Sequence, residues 1–262
     1  TVDIMIPVYN EERALPGCVE VLHGFLEEQF PFDWSIVVVD NASTDGTTHL
    51  LDSAYGHLEV VHLTSNIGGA GGFAAGIERA LTLDPDLVWL LDDDTVPEPA
   101  AAERLADAWW QYPGAEEDRP RVLASRVVWT DGRDHPMNTP RVKPLASRAE
   151  RAAAAAAGCV PVRSASFVSV LADLAAAQRS GLPQADYFLW NDDFEFTARL
   201  LRRSPGLLCP ASTVVHKTRA FGATDADPGA RFFYEVRNKV WTLRSAAPLA
   251  AHERVLYGGA TV

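Results

Sequence analysis

Three consecutive carboxylates, Asp92, Asp93 and Asp94, follow directly on the apolar run Leu87–Leu91. Acids at the end of a buried strand repel one another and lose hydration, so they indicate a cationic partner or exposure to water. Asp92 and Asp94 are two residues apart, which places both side chains on one side of an extended backbone. Carboxylate oxygens suit Mg²⁺ or Mn²⁺. The run therefore predicts a divalent-metal site, with a solvated turn as the alternative.

A second acidic cluster, Asp192, Asp193 and Glu195, follows Trp190 and Asn191 at a predicted change from strand to helix. Asp192 could cap that helix with Glu195 completing a capping box, and the helix dipole favours acids in a first turn. Capping needs one or two of the three acids, so at least one is left for another role. A carboxylate beside a metal-bound leaving group can accept a proton from an incoming hydroxyl. The Trp190 ring offers a flat face for a sugar or a lipid.

His216 ends a short apolar run at 213–216. A lone histidine is more often structural than a ligand. If this strand end converges on residues 92–94, imidazole and two carboxylates would form a Mn²⁺ site with open positions for phosphate oxygens. Further along, Arg237 and Lys239 lie among aromatic residues of a predicted helix at 231–244. That helix could bind a diphosphate, lie on a membrane surface or simply face the solvent. The sequence alone leaves these three roles open.

The glycine-rich segment 66–72 precedes a predicted helix that begins near Phe73. Glycines there let backbone amides approach a phosphate at the helix N-terminus, or let the helix pack closely on a sheet. From Gly69 onward the segment also matches a dinucleotide fingerprint, with Asp92 about 20 residues further on, which would indicate an oxidoreductase. Two features argue against that: the glycines follow the third predicted strand, and the acid that follows is part of a triplet.

The elements that would position these groups alternate between strands and helices. Strands are predicted at 2–7, 35–40, 58–63 and 87–91, with helical spacing of apolar residues between the first two and between the last two. This alternation is typical of an α/β fold with a Rossmann-like, doubly wound, mostly parallel sheet. Ligands of such sheets lie beyond the carboxyl ends of the strands. All four strand ends are polar: residues 9–11, 40–43, 65–66 and 92–94.

The second half of the chain predicts a more mixed arrangement. Residues 133–157 carry several prolines and end in a run of alanines. This pattern is typical either of a long loop that leads into a helix or of a compositional bias of the source genome. The remaining predicted elements are helices at 99–112, 193–203 and 231–244 and strands at 122–129, 167–174, 187–190 and 213–216.

Composition limits the class of protein. The chain has 262 residues, 47% of them hydrophobic, which is enough for the core of one large domain. We predict a single domain at 1–262, divided into a half at 1–95 and a half at 96–245. A formal charge of −12 argues against a nucleic-acid partner and a polybasic membrane patch. Phosphate would have to be held locally by a metal, helix N-termini or a few arginines.

Cysteines and hydropathy predict the compartment. Cys18, Cys159 and Cys209 show no metal-ligand spacing and indicate a reducing environment. No apolar run approaches the roughly 20 residues of a membrane span, and the first residues are typical of a strand rather than a signal peptide. We therefore expect a cytoplasmic protein, with a peripheral position at the inner face of the membrane left open.

Together these motifs resemble the family 2 glycosyltransferases of GT-A fold, over most of the chain from Val2 to about Trp241. Residues 191–195 stand where that family keeps its catalytic acids, and His216 where many members have a late metal-binding histidine. Segment 66–72, the triple aspartate and residues 190–195 are most similar to bacterial galactofuranosyltransferases and related rhamnosyltransferases. Other segments resemble the opening nucleotide motif (6–11), the uracil-facing segment (39–45) and the Asp-any-Asp metal motif (92–94).

The resemblance implies an inverting, metal-dependent transferase that uses Mn²⁺ or Mg²⁺. Asp193 would deprotonate the acceptor hydroxyl for in-line displacement at the anomeric carbon, supported by the acids Asp192 and Glu195. Trp190 would contact the acceptor, although Asn191 separates it from the paired acids, unlike in many galactofuranosyltransferases. Implied donor-binding residues are Pro7, Tyr9, Glu11, Asp40, Asn66, Gly69, Asp92 and Asp93; implied metal ligands are Asp92, Asp94 and His216.

We expect UDP-galactofuranose as the nucleoside diphosphate sugar and a glycan or lipid-linked acceptor, in cell-envelope polysaccharide synthesis. A dTDP-rhamnose transferase of the same fold is the first rival, and a non-catalytic nucleotide-sugar-binding module is another. Retention of Asp92, Asp94, Asp193 and His216 argues against the latter, because loss of function would first remove acids that cost stability. The compact length favours transfer of one or two sugars over building a long chain.

Overall fold

The computed structural model describes residues 1–218, 221–222 and 229–259. Its first half contains four strands and three helices that alternate along the chain. In order they are β1 (Val2–Val8), α1 (Leu15–Gln29), β2 (Trp34–Asp40), α2 (Thr47–Ala54), β3 (Glu59–His62), α3 (Gly68–Leu83) and β4 (Leu87–Leu91).

The second half is more mixed. Its strands and helices are β5 (Thr95–Pro97), α4 (Ala101–Gln111), β6 (Val122–Val128), β7 (Arg141–Val142), α5 (Arg148–Ala156), β8 (Val160–Ser164), β9 (Ser169–Asp173), α6 (Leu174–Ser180), α7 (Asp192–Leu200), β10 (Gly206–His216), α8 (Phe232–Arg244) and α9 (Ala251–Gly259). Short 3-10 helices lie at Glu116–Asp118, Pro136–Asn138, Ala185–Tyr187 and Gly229–Arg231.

One sheet joins the two halves, in the order β3-β2-β1-β4-β9-β6-β10-β8-β7, with β5 also paired to β10. The strands β1, β2, β3 and β4 are parallel, and so are β6 and β10. The strand β9 runs antiparallel between β4 and β6. The predicted fold class, a doubly wound and mostly parallel sheet with a mixed C-terminal part, is confirmed.

Helices cover both faces of the parallel part. Every residue of β1 and β4 is buried, as expected for parallel strands enclosed on two sides. Along β1, Ile4 faces the core cluster that contains α1, and Met5 faces the cluster that contains α3. The helical spacing in the sequence predicted the apolar face of α1 correctly: its buried residues are Leu15, Val19, Leu22 and Leu26.

The glycines of α3 allow close packing on the sheet. The helix begins at Gly68, five residues before the predicted start near Phe73. A Cβ atom at Gly72 would lie 2.7 Å from Cβ of Pro7, and one at Gly76 would lie 2.7 Å from Sδ of Met5. Both distances are below van der Waals contact, so larger residues would push α3 away from β1.

The predicted strand at 187–190 is wrong. The chain there leaves a 3-10 helix and turns, with Phe188, Trp190 and Asn191 at φ of 64°, 65° and 64°. Residues 133–157 form a 3-10 helix, β7 and α5, whose first turn is capped by Ser147 and Glu150. Predicted helix and strand limits elsewhere agree to within a few residues, except that β10 is longer at its start. In the described part of the chain, no helix is long and apolar enough to cross a bilayer.

Candidate metal and transfer site

The acidic run 92–94 lies in a turn, not in an extended strand. The amide of Thr95 donates to the carbonyl of Asp92 at 3.1 Å, which closes the turn directly after β4. The alternation argument that predicted a common side for the two acids is therefore wrong. The sheet brings the acidic turn and His216 together instead, because β5, which follows the turn, pairs with the end of β10 and places His216 opposite Thr95.

Asp92, Asp94 and His216 form a group that could hold a metal ion, with one donor atom from each within 4.8 Å of the others. Nε2 of His216 lies 2.8 Å from Oδ1 of Asp94 and 3.8 Å from Oδ2 of Asp92. Oδ1 of Asp94 is buried and makes no aligned hydrogen bond within the described residues. Adjacent ligands of an octahedral ion with bonds of about 2.1 Å lie roughly 3 Å apart. These residues therefore fit a divalent cation.

The electrostatics of this group favour a positive charge at its centre. Burial, and then the charge of Asp94, raise the pKa of Asp92 to about 6. Burial and the charges of Asp92 and Glu11 raise the pKa of Asp93 well above its usual range. Burial lowers the pKa of His216, but the carboxylate of Asp94 beside the ring outweighs it, and the net shift is upward. Protons and a metal ion would thus compete for the same ligand atoms.

The second acidic cluster lies at the start of α7, where Asn191 occupies the N-cap position. Its side chain makes no capping hydrogen bond in the described structure, and the predicted capping box of Asp192 and Glu195 does not form. Glu195 is instead buried and paired with Arg199, Nε to Oε1 at 2.9 Å. Glu195 does not line the cavity whose wall contains Asp192 and Asp193. Asp192 and Asp193 remain as the two acids of this cluster that face the site.

A cavity of about 390 Å³ brings several predicted residues together. It lies between the start of α3, the turn after β4, the turn before α7 and the loop at 136–141. The predicted site residues that line it are Gly69, Asp92, Trp190, Asp192, Asp193 and His216. Other predicted residues do not line it: Pro7, Tyr9, Glu11, Asp40, Asn66, Asp93 and Asp94.

Asp40 lies buried at the carboxyl end of β2 and organises the turn that follows. Its carboxylate accepts hydrogen bonds from the amide of Ser43 at 3.0 Å and the hydroxyl of Thr48 at 2.6 Å, and His62 Nδ1 lies 3.1 Å away. Burial raises the pKa of Asp40, but these hydrogen bonds outweigh burial and hold the pKa below its usual range. The carboxylate form of Asp40 is therefore favoured, and it stabilises the turn that follows β2.

The ends of β1 and β2 are tied to each other beside Tyr9, whose residue surface is 40% exposed. Asn10 has a φ of 62°, and its Oδ1 accepts a hydrogen bond from the amide of Thr44 at 2.7 Å. The amide of Glu11 donates to the hydroxyl of Thr47 at 2.9 Å. These contacts hold residues 9–11 at the open edge of the sheet, where the sequence predicted a nucleotide.

The glycine segment is shaped by two asparagines. Oδ1 of Asn66 accepts from the amide of Gly68 at 2.8 Å. Buried Asn41 accepts from the amide of Ile67 and donates to the carbonyl of Gly68, both at 2.9 Å. This role of Asn41 was not predicted, although its position directly after β2 was a signal. A Cβ atom at Gly69 would meet nothing within 4 Å among the described residues, so this glycine leaves the backbone open to the cavity.

The helix α8 holds the turn at 186–191, a role that the sequence analysis missed. The side-chain Nδ2 of Asn238, fully buried, lies 2.7–2.9 Å from the carbonyl oxygens of Tyr187, Leu189 and Trp190, which share its two hydrogens. Arg237 donates to the carbonyls of Asp186 and Tyr187, each at 2.7 Å. These bonds satisfy backbone groups that a strand would have paired with a neighbour. They explain why the predicted strand at 187–190 does not form.

Replacing Asn238 with leucine is expected to lower the free energy of unfolding by about 2 kcal/mol or more, because several buried carbonyls lose their donor. Urea denaturation followed by circular dichroism measures this. The control is Val236→Ala on the same helix, whose residue surface is 47% exposed and which should change stability by less than about 0.5 kcal/mol. Equal stability of the leucine variant and the parent would contradict this role of Asn238.

Comparison with known proteins supports a class for this fold and site. Residues 3–115 match the model of Glycosyl transferase family 2. The undecaprenyl-phosphate 4-deoxy-4-formamido-L-arabinose transferase of Pectobacterium carotovorum is 34% identical over 110 residues, which are 40% of this chain and 32% of that protein. The transferase of the same name from Aeromonas hydrophila is 33% identical over 114 residues, 42% of this chain and 34% of that protein. The chain thus spans about a third of these curated relatives.

Solved structures share the fold over nearly the whole chain. Staphylococcus aureus TarS superimposes with a TM-score of 0.63 at 17% identity, covering 97% of this chain and 41% of TarS. GalNAc-T7, solved with UDP, GalNAc and Mn²⁺, superimposes with a TM-score of 0.65 at 14% identity, covering 93% of this chain and 48% of GalNAc-T7. The family match therefore supports a glycosyltransferase family 2 domain at residues 3–115, and the solved structures, at 14–17% identity, show the shared fold alone. The relatives described here are not named as galactofuranosyl- or rhamnosyltransferases.

Proposed function

We propose that this chain is an inverting, metal-dependent glycosyltransferase that moves a sugar from a nucleoside diphosphate sugar to an acceptor hydroxyl. The observation that carries the proposal is that the cavity is lined both by members of the metal-ligand group, Asp92 and His216, and by the paired acids Asp192 and Asp193. A divalent cation bound there would stabilise the charge of the departing diphosphate. Residues 1–262 would act as one domain, with a donor half at 1–95 and an acceptor and metal half at 96–245.

The two acids at the start of α7 differ in their expected protonation. Burial and the charge of Asp193 raise the pKa of Asp192 well above its usual range. The pKa of Asp193 is also raised by burial, but hydrogen bonds from the Phe194 amide and the Ser166 side chain oppose that shift. Burial and the neighbouring charge thus disfavour the ionised form of Asp192, whereas the amide of Phe194 donates a hydrogen bond that stabilises the carboxylate of Asp193, which favours Asp193 as the base. A base of raised pKa is well matched to work near neutral pH.

The proposed step is a single displacement. Asp193 takes the proton of the acceptor hydroxyl while that oxygen bonds to the anomeric carbon. The bond between the anomeric carbon and the diphosphate oxygen breaks on the opposite side, and the electron pair leaves with the diphosphate.

A phosphate acceptor is the second candidate, because the curated relatives carry undecaprenyl-phosphate in their names. A phosphate is already ionised and needs no base. The cavity wall argues against it: its cations are Arg141 and Lys239, and Nζ of Lys239 pairs with Oε1 of Glu235 at 2.5 Å. The same wall holds the carboxylates of Asp92, Asp193 and Glu235, besides Asp192, whose raised pKa favours the neutral form. This balance favours a neutral hydroxyl over a phosphate dianion.

The donor is proposed to be UDP-galactofuranose, on the likeness of segment 66–72, the triple aspartate and residues 190–195 to galactofuranosyltransferases; dTDP-rhamnose is the alternative. We propose Pro7, Tyr9, Glu11, Asp40, Asn66, Gly69, Asp92 and Asp93 as the donor-binding set and Trp190 as an acceptor contact. The exposed Phe232, Phe233 and Trp241 of α8, a helix that also contributes to the cavity wall, support a lipid-linked acceptor met at the inner face of a membrane.

Calorimetric titration with UDP, dTDP, GDP and NAD, each with and without Mn²⁺, tests the class of donor. We expect binding of UDP or dTDP that depends on Mn²⁺, and the tighter of the two identifies the nucleotide. Incubation of the matching sugar nucleotide with short glycan alcohols and with polyprenyl phosphates then separates the two acceptor classes. Binding of NAD without metal, or binding of no nucleotide, would overturn the proposal.

A further inference from the structure

Asn138 contacts His216, the proposed metal ligand, on the edge of the ring that faces away from the metal site. It ends the 3-10 helix Pro136–Asn138 and is buried. Its Oδ1 lies 2.8 Å from Nδ1 of His216, on the ring edge opposite the metal-facing Nε2. A carbonyl oxygen only accepts hydrogen bonds, so Nδ1 of His216 carries the ring proton. With a metal ion bound, Nε2 would then present its lone pair to the ion, on the side of the ring that faces Asp94.

The other end of the Asn138 amide points towards the proposed base. Nδ2 of Asn138 donates to Oγ of Ser166 at 3.1 Å. The Ser166 hydroxyl has a single hydrogen, and the side chain of Ser166 makes a hydrogen bond that lowers the pKa of Asp193 against the rise caused by burial. Because Asp193 accepts that hydrogen as a carboxylate, the hydroxyl is oriented by Asn138 on one side and by Asp193 on the other.

We propose that Asn138 and Ser166 are positioning residues that join the metal ligand His216 to the base Asp193 through one directed chain of hydrogen bonds. The inference rests on the proposed function. Asparagine suits the central place because it presents an acceptor and a donor from one planar group. The chain fixes the ring of His216 and the carboxylate of Asp193 relative to each other, although they come from β10 and α7.

Binding of Mn²⁺ in the presence of UDP, followed by electron paramagnetic resonance of the free ion, tests the His216 half of the chain. Asn138→Leu removes both hydrogen bonds and is expected to weaken Mn²⁺ binding 10- to 100-fold, about the effect of losing a partner of a metal-ligating histidine. Asn138→Asp keeps an oxygen acceptor for Nδ1 and should stay within about threefold of the parent. Thr139→Val is the control on the same loop, since its hydroxyl donates to the carbonyl of His135, and Mn²⁺ affinity should not change.

Ser166→Ala tests the Asp193 half. Mn²⁺ affinity should stay within about threefold of the parent, while kcat at pH 6 falls about tenfold, the order expected for a lost hydrogen bond to a charged group. Because that bond stabilises the ionised carboxylate, its loss should move the acidic limb of the kcat profile to higher pH. A merely structural serine would lower kcat equally at all pH values, or change only the melting temperature.

The results also separate this inference from the proposed function. If the parent binds no Mn²⁺ in the presence of UDP, the proposed function itself is wrong. If the parent binds Mn²⁺ and folded Asn138→Leu binds it equally well, only the positioning role of Asn138 is overturned. If Asn138→Leu does not fold, Asn138→Asp decides: a loss of Mn²⁺ affinity as large as that expected for leucine would contradict the role of the oxygen acceptor.

Discussion

Asp193→Asn is expected to lower kcat for sugar transfer by about 10²–10⁴-fold, the usual contribution of a general base. Asparagine has the same shape but cannot take the proton of the acceptor hydroxyl. Its Oδ1 can still accept from the amide of Phe194, as the carboxylate does at 2.6 Å, so the start of α7 should keep its structure. Binding of the nucleotide with Mn²⁺ should change by less than about threefold. Initial rates with saturating donor, together with calorimetry, measure both quantities.

Asp192→Asn is the matched control, because it makes the same change at the neighbouring position. Burial and the charge of Asp193 raise the pKa of Asp192, which favours its protonated form, and asparagine resembles that form. A loss of less than about tenfold in kcat is expected. The assignment of the base would be reversed if Asp192→Asn abolished transfer while Asp193→Asn retained it within tenfold.

Local patterns in the sequence were sufficient for the parallel half of the fold. The spacing of Leu15, Val19, Leu22 and Leu26 repeats with the helical period, and these residues are the buried face of α1. The strand β4 was predicted with its observed limits, because a short, fully apolar run between polar segments is typical of a buried parallel strand. Such signals need no knowledge of distant parts of the chain.

The turn at 186–191 shows what local patterns do not contain. Aromatic residues favour strands, so the sequence predicted one at 187–190. The decisive contacts come from Asn238, which lies 51 residues after Tyr187 along the chain. With its carbonyls satisfied by Asn238 and Arg237, the backbone adopts left-handed conformations that cost of order 1–3 kcal/mol each. Only the packing of α8 makes that geometry stable.

The candidate site was predictable as a set of residues but not as an arrangement. Convergence of His216 with the acidic turn depends on pairing between β5 and β10, which no local pattern indicates. Asn138 and Ser166 lie in loops and carry no motif. Glu195 is the opposite case: its pairing with Arg199 follows the i to i+4 spacing of a helix and could have been recognised in the sequence.

Asp94→Asn is expected to weaken Mn²⁺ binding by more than about 100-fold, beyond the 10- to 100-fold typical of losing a residue that only holds a metal ligand in place. The carboxylate oxygen that lies 2.8 Å from Nε2 of His216 is buried and makes no aligned hydrogen bond within the described chain, so a cation is the partner it lacks. An amide oxygen in its place carries no net charge and binds a divalent ion more weakly. Electron paramagnetic resonance of free Mn²⁺ measures the affinity.

Asp93→Asn is the matched control for Asp94→Asn, since it makes the same change of side chain in the same turn but lies outside the ligand group. A change of less than about fivefold in Mn²⁺ affinity is expected there, because through-space attraction between groups that do not touch is screened by water and salt. Equal losses in both variants would mean that the cation responds to the summed charge of the turn and that Asp94 is not a ligand. A large loss confined to Asp94→Asn would instead show that one oxygen atom of this turn binds the ion directly.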